Sequence, residues 1–172
     1  MGSAIVVADT SVIINFLRID RMDLIGAHPR PFVVTDHVAD EITDSYPEQR
    51  ARFHAALGAG HITQHRVDDP AEVGIFLRLS AKGRLGSGER SAIAVALHRG
   101  FALAIDDSRA IRRAIREAGI AGNPLTVFRT QEVIVHLIKA RLLEIDVADA
   151  IKEDWSLNHR FTMRIGSFSE LL

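Results

Sequence analysis

The sequence predicts an α/β domain with a mainly parallel sheet and a helical C-terminal tail. Short apolar runs at 4–8, 31–35 and 101–105 alternate with segments whose apolar residues recur at helical spacing, an alternation typical of βαβ units. No internal repeat, low-complexity tract or linker interrupts the 172 residues. We therefore expect a single domain, with a core at about 4–128 and a helical extension at about 129–172.

The first half of the chain alternates strands and helices. The run "AIVVA" ends at Asp9 and is followed by the helical segment "VIINFLRI", for which Thr10 or Ser11 is the expected N-cap. The run "PFVVT" precedes the helix "HVADEIT", with Asp36 as its expected cap. The next predicted elements are a helix at 48–58, a strand "HITQHRV" and a helix from Pro70, which suits a first helical position, to about Ala81.

The second half of the chain repeats this alternation after a glycine-rich turn, "KGRLGSG". A helix "ERSAIAVALHR" is expected to end at Gly100, followed by the strand "FALAI". The helix "SRAIRRAIREAG" is expected to close at Gly119, and "PLTVF" has the character of one more short strand. The tail contains two amphipathic helices, "QEVIVHLIKARLL" and "VADAIKEDWSL", and then an irregular end. The apolar faces of the first of these suit either packing on the sheet or a homodimer.

The composition excludes several classes of protein. Apolar residues make up 47% of the chain and charged residues 25%, and no apolar run approaches the ~20 residues of a membrane helix. The N-terminus has no basic region and reaches an acid at Asp9, unlike a signal peptide. Cysteine is absent, so disulfides and thiolate metal sites are excluded. We expect a cytoplasmic protein with no membrane partner.

The charge distribution is strongly uneven although the net charge is only −1. The segment from Arg78 to Arg116 carries nine basic residues and three acids, Glu89, Asp106 and Asp107. Its net charge is +6, and the remainder of the chain carries −7. This distribution predicts a basic surface around an acidic point.

Five acids occupy positions that a parallel sheet brings together. Asp9, Asp106 and Asp107 follow apolar strands, and Glu41 and Glu89 lie near helix starts or on first turns. The carboxyl ends of parallel strands meet at one edge of the sheet, where ligands bind. Converging carboxylates repel one another unless a hard cation such as Mg²⁺ or Mn²⁺ neutralises them. The sequence therefore predicts a metal site suited to phosphodiester hydrolysis.

Four of these acids also have a purely structural interpretation. Asp9, and either Asp107 or Ser108, could serve as N-caps of the helices that follow. Glu89 lies in the first turn of a helix, where the helix dipole favours an acid. Glu41 lies in a helix with other acids and could be part of a solvated face.

Several basic residues are candidates for substrate binding. Arg109, Arg112, Arg113 and Arg116 lie on one helical face and could follow a phosphate backbone. Solvation, or pairing with Asp106 and Glu117, explains them equally well. Lys82 and Arg84, in the glycine-rich turn, are further candidates of the same kind.

Histidines and aromatic residues add little to the predicted site. The eight histidines are scattered without a repeated ligand spacing, so we expect no zinc site. Trp155 and Tyr46 offer little aromatic surface for stacking bases, and binding of a single strand would then depend on charge and on the metal.

The segments "VADTSVIINFL", "VTDHVADEI", "GSGERSAIAVALHRG" and "LAIDDSRAIRRA", in this order, resemble the four acidic blocks of the PIN-domain nucleases. The resemblance spans about Asp9 to Ala114 and implies a three-layer α/β/α fold with a central, mainly parallel sheet. It also implies a Mg²⁺- or Mn²⁺-dependent ribonuclease. Many small relatives are toxins of toxin–antitoxin pairs, so the resemblance further implies an antitoxin protein as a partner.

Carried over by position, the resemblance makes Asp9 the central metal ligand. Glu41, Glu89 and the pair Asp106 and Asp107 complete the acidic site, with Asp107 slightly favoured over Asp106 as a ligand. Glu89 matches the "GE" opening found in a subset of the family. Ser11 would hold a metal-bound water or a phosphate.

Two rival classes of protein fit less well. The pair in "LAIDDSRA" also resembles the acidic pair of a phosphorelay receiver domain, but only 65 residues follow Asp107, too few for the rest of that fold. A PIN-like module that binds RNA or protein without catalysis is the other alternative. Because every acidic block retains an acid, the sequence favours the enzyme.

Overall fold

The computed structural model of the protein describes residues 4–81 and 83–172. Its centre is a five-stranded sheet with the strand order β3-β2-β1-β4-β5, and each neighbouring pair of strands is parallel. The strands are β1 (Val6–Ala8), β2 (Phe32–Thr35), β3 (Thr63–His65), β4 (Ala102–Ala104) and β5 (Val127–Phe128). The predicted parallel sheet is confirmed.

Helices cover both faces of the sheet. Over the described residues they are α1 (Thr10–Arg18), α2 (Met22–Ala27), α3 (Asp36–Ser45), α4 (Arg50–Gly58), α5 (Pro70–Ser80), α6 (Ser87–Arg99), α7 (Ser108–Ala121), α8 (Thr130–Lys139), α9 (Ile145–Asn158) and a final 3₁₀ helix (Phe168–Leu171). In the same part of the chain, no helix combines the length and apolar character needed to cross a bilayer.

Strands β1 and β4 are buried on both faces, as the continuous apolar runs predict, whereas the edge strand β3 is largely exposed. In β1, Val6 and Ala8 join one hydrophobic core and Val7 joins the other. Helices α5, α6 and α7 supply the second core, and α1, α2, α3, α4, α8 and α9 supply the first. Successive side chains of a strand point to opposite faces, so this division establishes three layers, α/β/α.

The C-terminal tail is anchored on α1. The Trp155 indole is fully buried, its Nε1 donates to the Asn15 carbonyl oxygen at 2.7 Å, and its ring meets Phe16 edge-on at 5.5 Å. The apolar side chains of α8, including Val133 and Leu137, are likewise buried in the core. Of the two arrangements left open for α8, the structure therefore shows packing on the sheet.

Two N-caps differ from the first residues predicted for them. Asp9, the structural alternative to Thr10 or Ser11, caps α1 by accepting from Val12 N at 3.3 Å. Thr35, not Asp36, caps α3. In both places the residue with extended backbone at the strand exit is also the cap, so the helix begins as soon as the strand ends. The predicted ends of α5 and α6 hold: Asp69 caps α5 ahead of Pro70, and Gly100 is left-handed at φ 67°.

Other element boundaries also differ from the prediction. Helix α7 continues past Gly119 and ends at Gly122, whose φ of 71° provides the left-handed cap. Helix α6 begins at Ser87, two residues before the predicted start at Glu89. Helix α2 was not predicted, because its six residues are too few for a clear apolar period. A 3₁₀ helix occupies part of the tail end that was expected to be irregular.

Candidate active site

The candidate site lies at the carboxyl edge of the sheet, between β1 and β4. From β1 the chain adds β2 and then β3 on one side of the sheet. It then crosses over and adds β4 and β5 on the other side of β1. The two strands meet where Asp9 N donates to the Ala104 carbonyl oxygen at 3.0 Å. This is the topological switch point of the sheet, where α/β proteins bind ligands.

Asp9 is a buried carboxylate without a cationic partner. It is 1% exposed, and within the described residues no Lys, Arg or His forms an ion pair with it. Its Oδ1 accepts from Ser11 Oγ at 2.7 Å and from Val12 N at 3.3 Å. Burial raises the pKa of Asp9 to about 8 against the lowering effect of these bonds, and the charges of Asp106 and Glu89 add to the rise.

Glu41 and Glu89 approach the site from α3 and α6. Glu41 Oε2 accepts from Gly88 N at 3.2 Å, and Glu89 Oε2 accepts from Gly86 N at 3.0 Å. Burial raises the pKa of Glu89, opposed by the Gly86 bond, and the neighbouring charges of Asp107 and Glu41 raise it further. Both carboxylates are thus held by backbone amides at the start of α6.

Gly88 is required at its position by close approach. A Cβ there would overlap Glu41 Oε2 and lie 2.7 Å from Thr10 Oγ1. Thr10 Oγ1 is itself buried and has no hydrogen-bond partner among residues 4–81 and 83–172. A buried polar atom in this state is rare in native proteins, where a water, an ion or a ligand commonly satisfies it.

Asp106 is fixed by neutral donors from α1 and α8. Its carboxylate accepts from Thr130 N at 2.8 Å, from Thr130 Oγ1 at 2.6 Å and from Asn15 Nδ2 at 3.1 Å. Burial raises the pKa of Asp106, while the Thr130 bonds and the Arg129 charge oppose the rise. Arg129 Nη1 also donates to the Asp106 carbonyl oxygen at 2.7 Å.

Asp107 combines a structural position with a place in the cleft. Its Oδ1 accepts from Arg109 N at 2.9 Å and Ala110 N at 2.8 Å, which caps α7 as the structural interpretation expects. It also lines a cleft of about 110 Å³ together with Glu89, Arg84, Leu85 and Arg109. Asp107 and Glu89 therefore face the same cleft.

The donor set suits a hard divalent cation. Across residues 4–81 and 83–172, no three Asp, Glu or His side chains are already gathered as a metal-binding group. The acids are held instead by local hydrogen bonds. Their carboxylate oxygens and the unpartnered Thr10 hydroxyl are oxygen donors, the ligand type that Mg²⁺ and Mn²⁺ prefer. A bound cation would also stabilise the charged form of Asp9, which burial disfavours.

A basic cleft adjoins the acids. It has a volume of about 240 Å³ and shares Arg84, Leu85 and Arg109 with the smaller acidic cleft. Its other lining residues are Gly83, Arg112, Arg113 and Arg116. Arg113 Nε donates to Glu117 at 3.0 Å, so the pairing considered for this stripe holds for that arginine. Lys82 lies outside the described residues.

Four residues of the site were missed by the sequence analysis as site residues: Thr10, Asn15, Arg129 and Thr130. Asn15 is a polar residue inside the apolar helix "VIINFL", and that contrast is a signal that could have singled it out. Thr130 and Arg129 reach Asp106 from more than twenty positions along the chain, and no local pattern marks them.

Fold and site together define a three-layer α/β/α protein with acidic residues at the switch point of its sheet. A family model described as a PIN domain matches residues 5–155, and the chain belongs to the PIN-domain family. PIN domains are in general a nuclease-type fold and typically use divalent metals.

A solved structure shows the same fold. A PilT N-terminus domain protein from the hyperthermophilic archaeon Sulfolobus solfataricus P2 superposes with a TM-score of 0.52 at 20% identity. The match covers 81% of this chain and 94% of that protein. No curated protein shows significant sequence similarity.

Proposed function

We propose that this protein is a divalent-metal-dependent ribonuclease that hydrolyses phosphodiester bonds at the acidic cleft. The observation that carries the proposal is Asp9, a buried carboxylate that has hydroxyl and amide donors but no cation, next to the charges of Asp106 and Glu89. Strongly shifted pKa values of this origin are typical of functional sites.

The chain's own groups have separable roles in this reaction. Asp9, Glu41, Glu89, Asp106 and Asp107 would hold Mg²⁺ or Mn²⁺, which when bound would activate water and stabilise the leaving oxygen. Both hydrogen bonds to Asp9 reach Oδ1, which leaves Oδ2 for a cation. Thr130 and Asn15 orient Asp106, as outer partners of metal ligands commonly do.

The basic cleft supports a nucleic-acid substrate. Arg109, Arg112 and Arg84 line it directly beside Glu89 and Asp107. We propose that they bind phosphates that flank the bond to be cut, so binding weakens as salt rises. The choice of RNA rests on the family resemblance.

A toxin role is the narrower form of this proposal. Chain length and family membership support it, and the partner would be an antitoxin that blocks the acidic cleft. A small gene adjacent to this one, whose product binds the protein and stops cleavage, is the expected finding. Cleavage that the product of such a gene leaves unchanged would contradict the toxin role.

The deciding experiment is cleavage of a labelled single-stranded RNA panel with Mn²⁺ or Mg²⁺. We expect metal-dependent products that disappear in EDTA. In Asp9→Asn they should fall by more than the ~10–100-fold that loss of an outer metal partner costs. Asp40→Asn, which alters an exposed acid on α3, is the matched control and should keep activity.

The other outcomes decide against the proposal in different ways. Equal cleavage by Asp9→Asn would show that the acidic cleft is not responsible. The absence of cleavage across the panel would favour the non-catalytic module that binds RNA or protein.

A further inference from the structure

A stack of three side chains lies beside the acidic cleft and has no part in the chemistry described above. The rings of His37, on α3, and Phe76, on α5, are nearly parallel at 17°, with centroids 4.7 Å apart. The Arg90 guanidinium, on α6, lies over the Phe76 ring at 4.5 Å from its centroid. Three helices therefore contribute to one layered surface, which we call the His37 stack.

The His37 stack adjoins the acids through two of its members. His37 precedes Glu41 by four residues on α3, so the two side chains lie on the same face, one turn apart. Arg90 directly follows Glu89, and its Nε donates to the Gly86 carbonyl oxygen at 3.4 Å, beside the amide that binds Glu89. The basic cleft adjoins the acids near Asp107 instead, so the two surfaces flank the acids from different helices.

The geometry of the His37 stack differs from that of the core ring pairs. The other ring pairs in residues 4–81 and 83–172 meet at angles between 49° and 87°. Edge-on pairs of this kind are common packing in a core. His37, Phe76 and Arg90 are each only partly buried, so this parallel stack reaches solvent. Partly exposed aromatic and guanidinium planes are the groups on which unpaired bases stack.

We propose that the His37 stack is a nucleobase subsite, which holds one unpaired base next to the phosphodiester bond at the acids. The inference rests on the proposed function and narrows its substrate to RNA that is single-stranded at the cleavage position, because a paired base cannot reach an aromatic plane. The subsite accepts any base, since every base has a π-face. It also supplies the ring contact that Trp155 and Tyr46 do not offer.

The test compares binding by His37→Ala and His37→Phe in the full chain carrying Asp9→Asn, which suppresses cleavage. The probes are a fluorescent oligoadenylate of about ten nucleotides and the same oligomer with its bases removed at successive single positions. We expect His37→Ala to weaken binding of the intact oligomer about 5–20-fold, and His37→Phe to restore it to within about 2-fold. Removal of the base that occupies the subsite should weaken binding of the oligomer by the protein that retains His37. The same removal should not change the affinity of His37→Ala for the oligomer.

Two controls separate stacking from a structural role. Inorganic polyphosphate carries charge without bases, so its affinity should be the same for all variants. His54→Ala, an exposed histidine on α4, should bind the oligomer unchanged. The melting temperatures of the two His37 variants should agree with that of their parent.

Three results would overturn the subsite: unchanged binding of the oligomer by His37→Ala, an equal loss for polyphosphate, or failure of His37→Phe to restore affinity. A parent that binds no oligomer would overturn it as well. None of these results alters the cleavage assay with Asp9→Asn, which alone decides the nuclease proposal. Conversely, metal-independent cleavage would contradict the nuclease and leave base-dependent binding measurable.

Discussion

Two buried carboxylates in this protein have opposite electrostatic surroundings. Glu72, on α5, is fully buried and is paired with Arg99 and with His65 Nε2, the latter at 3.1 Å. Asp9 is almost as buried and receives only a hydroxyl and an amide. A buried acid is normally compensated because an isolated charge in the interior is costly. The difference agrees with a structural role for Glu72 and with the metal-binding role that we propose for Asp9.

Glu117 follows the pattern of Glu72. It is 6% exposed and lies 3.0 Å from Arg113 Nε and 3.5 Å from Arg78 Nε, so it links α7 to α5. Basic side chains of α5 and α7 thus compensate this buried acid. Their absence around Asp9 is local and is not explained by a shortage of basic residues.

The largest expected effect comes from breaking the compensated pair. Arg99→Ala removes one partner from Glu72 and leaves a buried carboxylate with His65 alone, which should lower the free energy of unfolding by about 3 kcal/mol. Urea denaturation measures this loss. Arg116→Ala, which removes an exposed arginine of α7, should change it by less than about 0.5 kcal/mol. Equal effects of the two substitutions would show that Arg99 does not compensate the charge of Glu72.

A smaller loss is expected from crowding the uncompensated site. Gly88→Ala places a Cβ against Glu41 and Thr10, so it should lower the free energy of unfolding by about 1–3 kcal/mol and displace Glu41. Gly74→Ala is the matched control, because that helical glycine has open space around it. Alanine there should raise the free energy of unfolding by about 0.5–1 kcal/mol. Both are read by urea denaturation. Stabilisation by Gly88→Ala would show that the close approach is not tight.

A substitution at Asp9 is expected to act with the opposite sign. The pKa of Asp9 is about 8 in the folded protein, above the ordinary value near 3.8, so between these values the folded state binds the proton more tightly. Stability of the metal-free protein therefore falls as pH rises towards 8. Asp9→Asn removes this dependence and should stabilise the protein in EDTA, with a larger gain at pH 8 than near pH 5.

Thermal denaturation across this pH range is the measurement, and Mg²⁺ sharpens it. Added Mg²⁺ should raise the melting temperature of the parent and leave that of Asp9→Asn nearly unchanged, since a ligand stabilises only the state that binds it. A melting temperature of Asp9→Asn that is lower than the parent's in EDTA at pH 8 would show that Asp9 is compensated after all.

The same contrast explains what could be predicted from the sequence. Asp9 and the pair Asp106 and Asp107 follow apolar strands, and strand ends of a parallel sheet converge by rule, so the position of the acids was predictable. The bonds that orient Asp106 come from Asn15 and Thr130. Those contacts depend on how α1 and α8 pack, which no local pattern encodes.

Element boundaries were less predictable for a related reason. At Asp9 and Thr35 one residue both follows or ends a strand and caps a helix. The sequence pattern predicts the cap one residue later, because it assigns the end of the strand and the cap to different residues. At Gly119 an exposed glycine is accommodated inside α7, so composition alone indicated too early an end. The arginine stripe was identified by its spacing, but the pairing of Arg113 with Glu117 required the structure.

The hydrogen bonds from Thr130 to Asp106 also have a consequence for folding during synthesis. The five acids lie between residues 9 and 107, whereas Thr130 and Trp155, which secure Asp106 and α1, lie later in the chain. Because a chain is made and begins to fold from its N-terminus, a nascent chain on the ribosome carries every acid before it carries these supports. Asp106 therefore gains its Thr130 bonds only after α8 has emerged, and a product stopped short of α8 would contain all five acids with Asn15 as the one remaining donor of these to the Asp106 carboxylate.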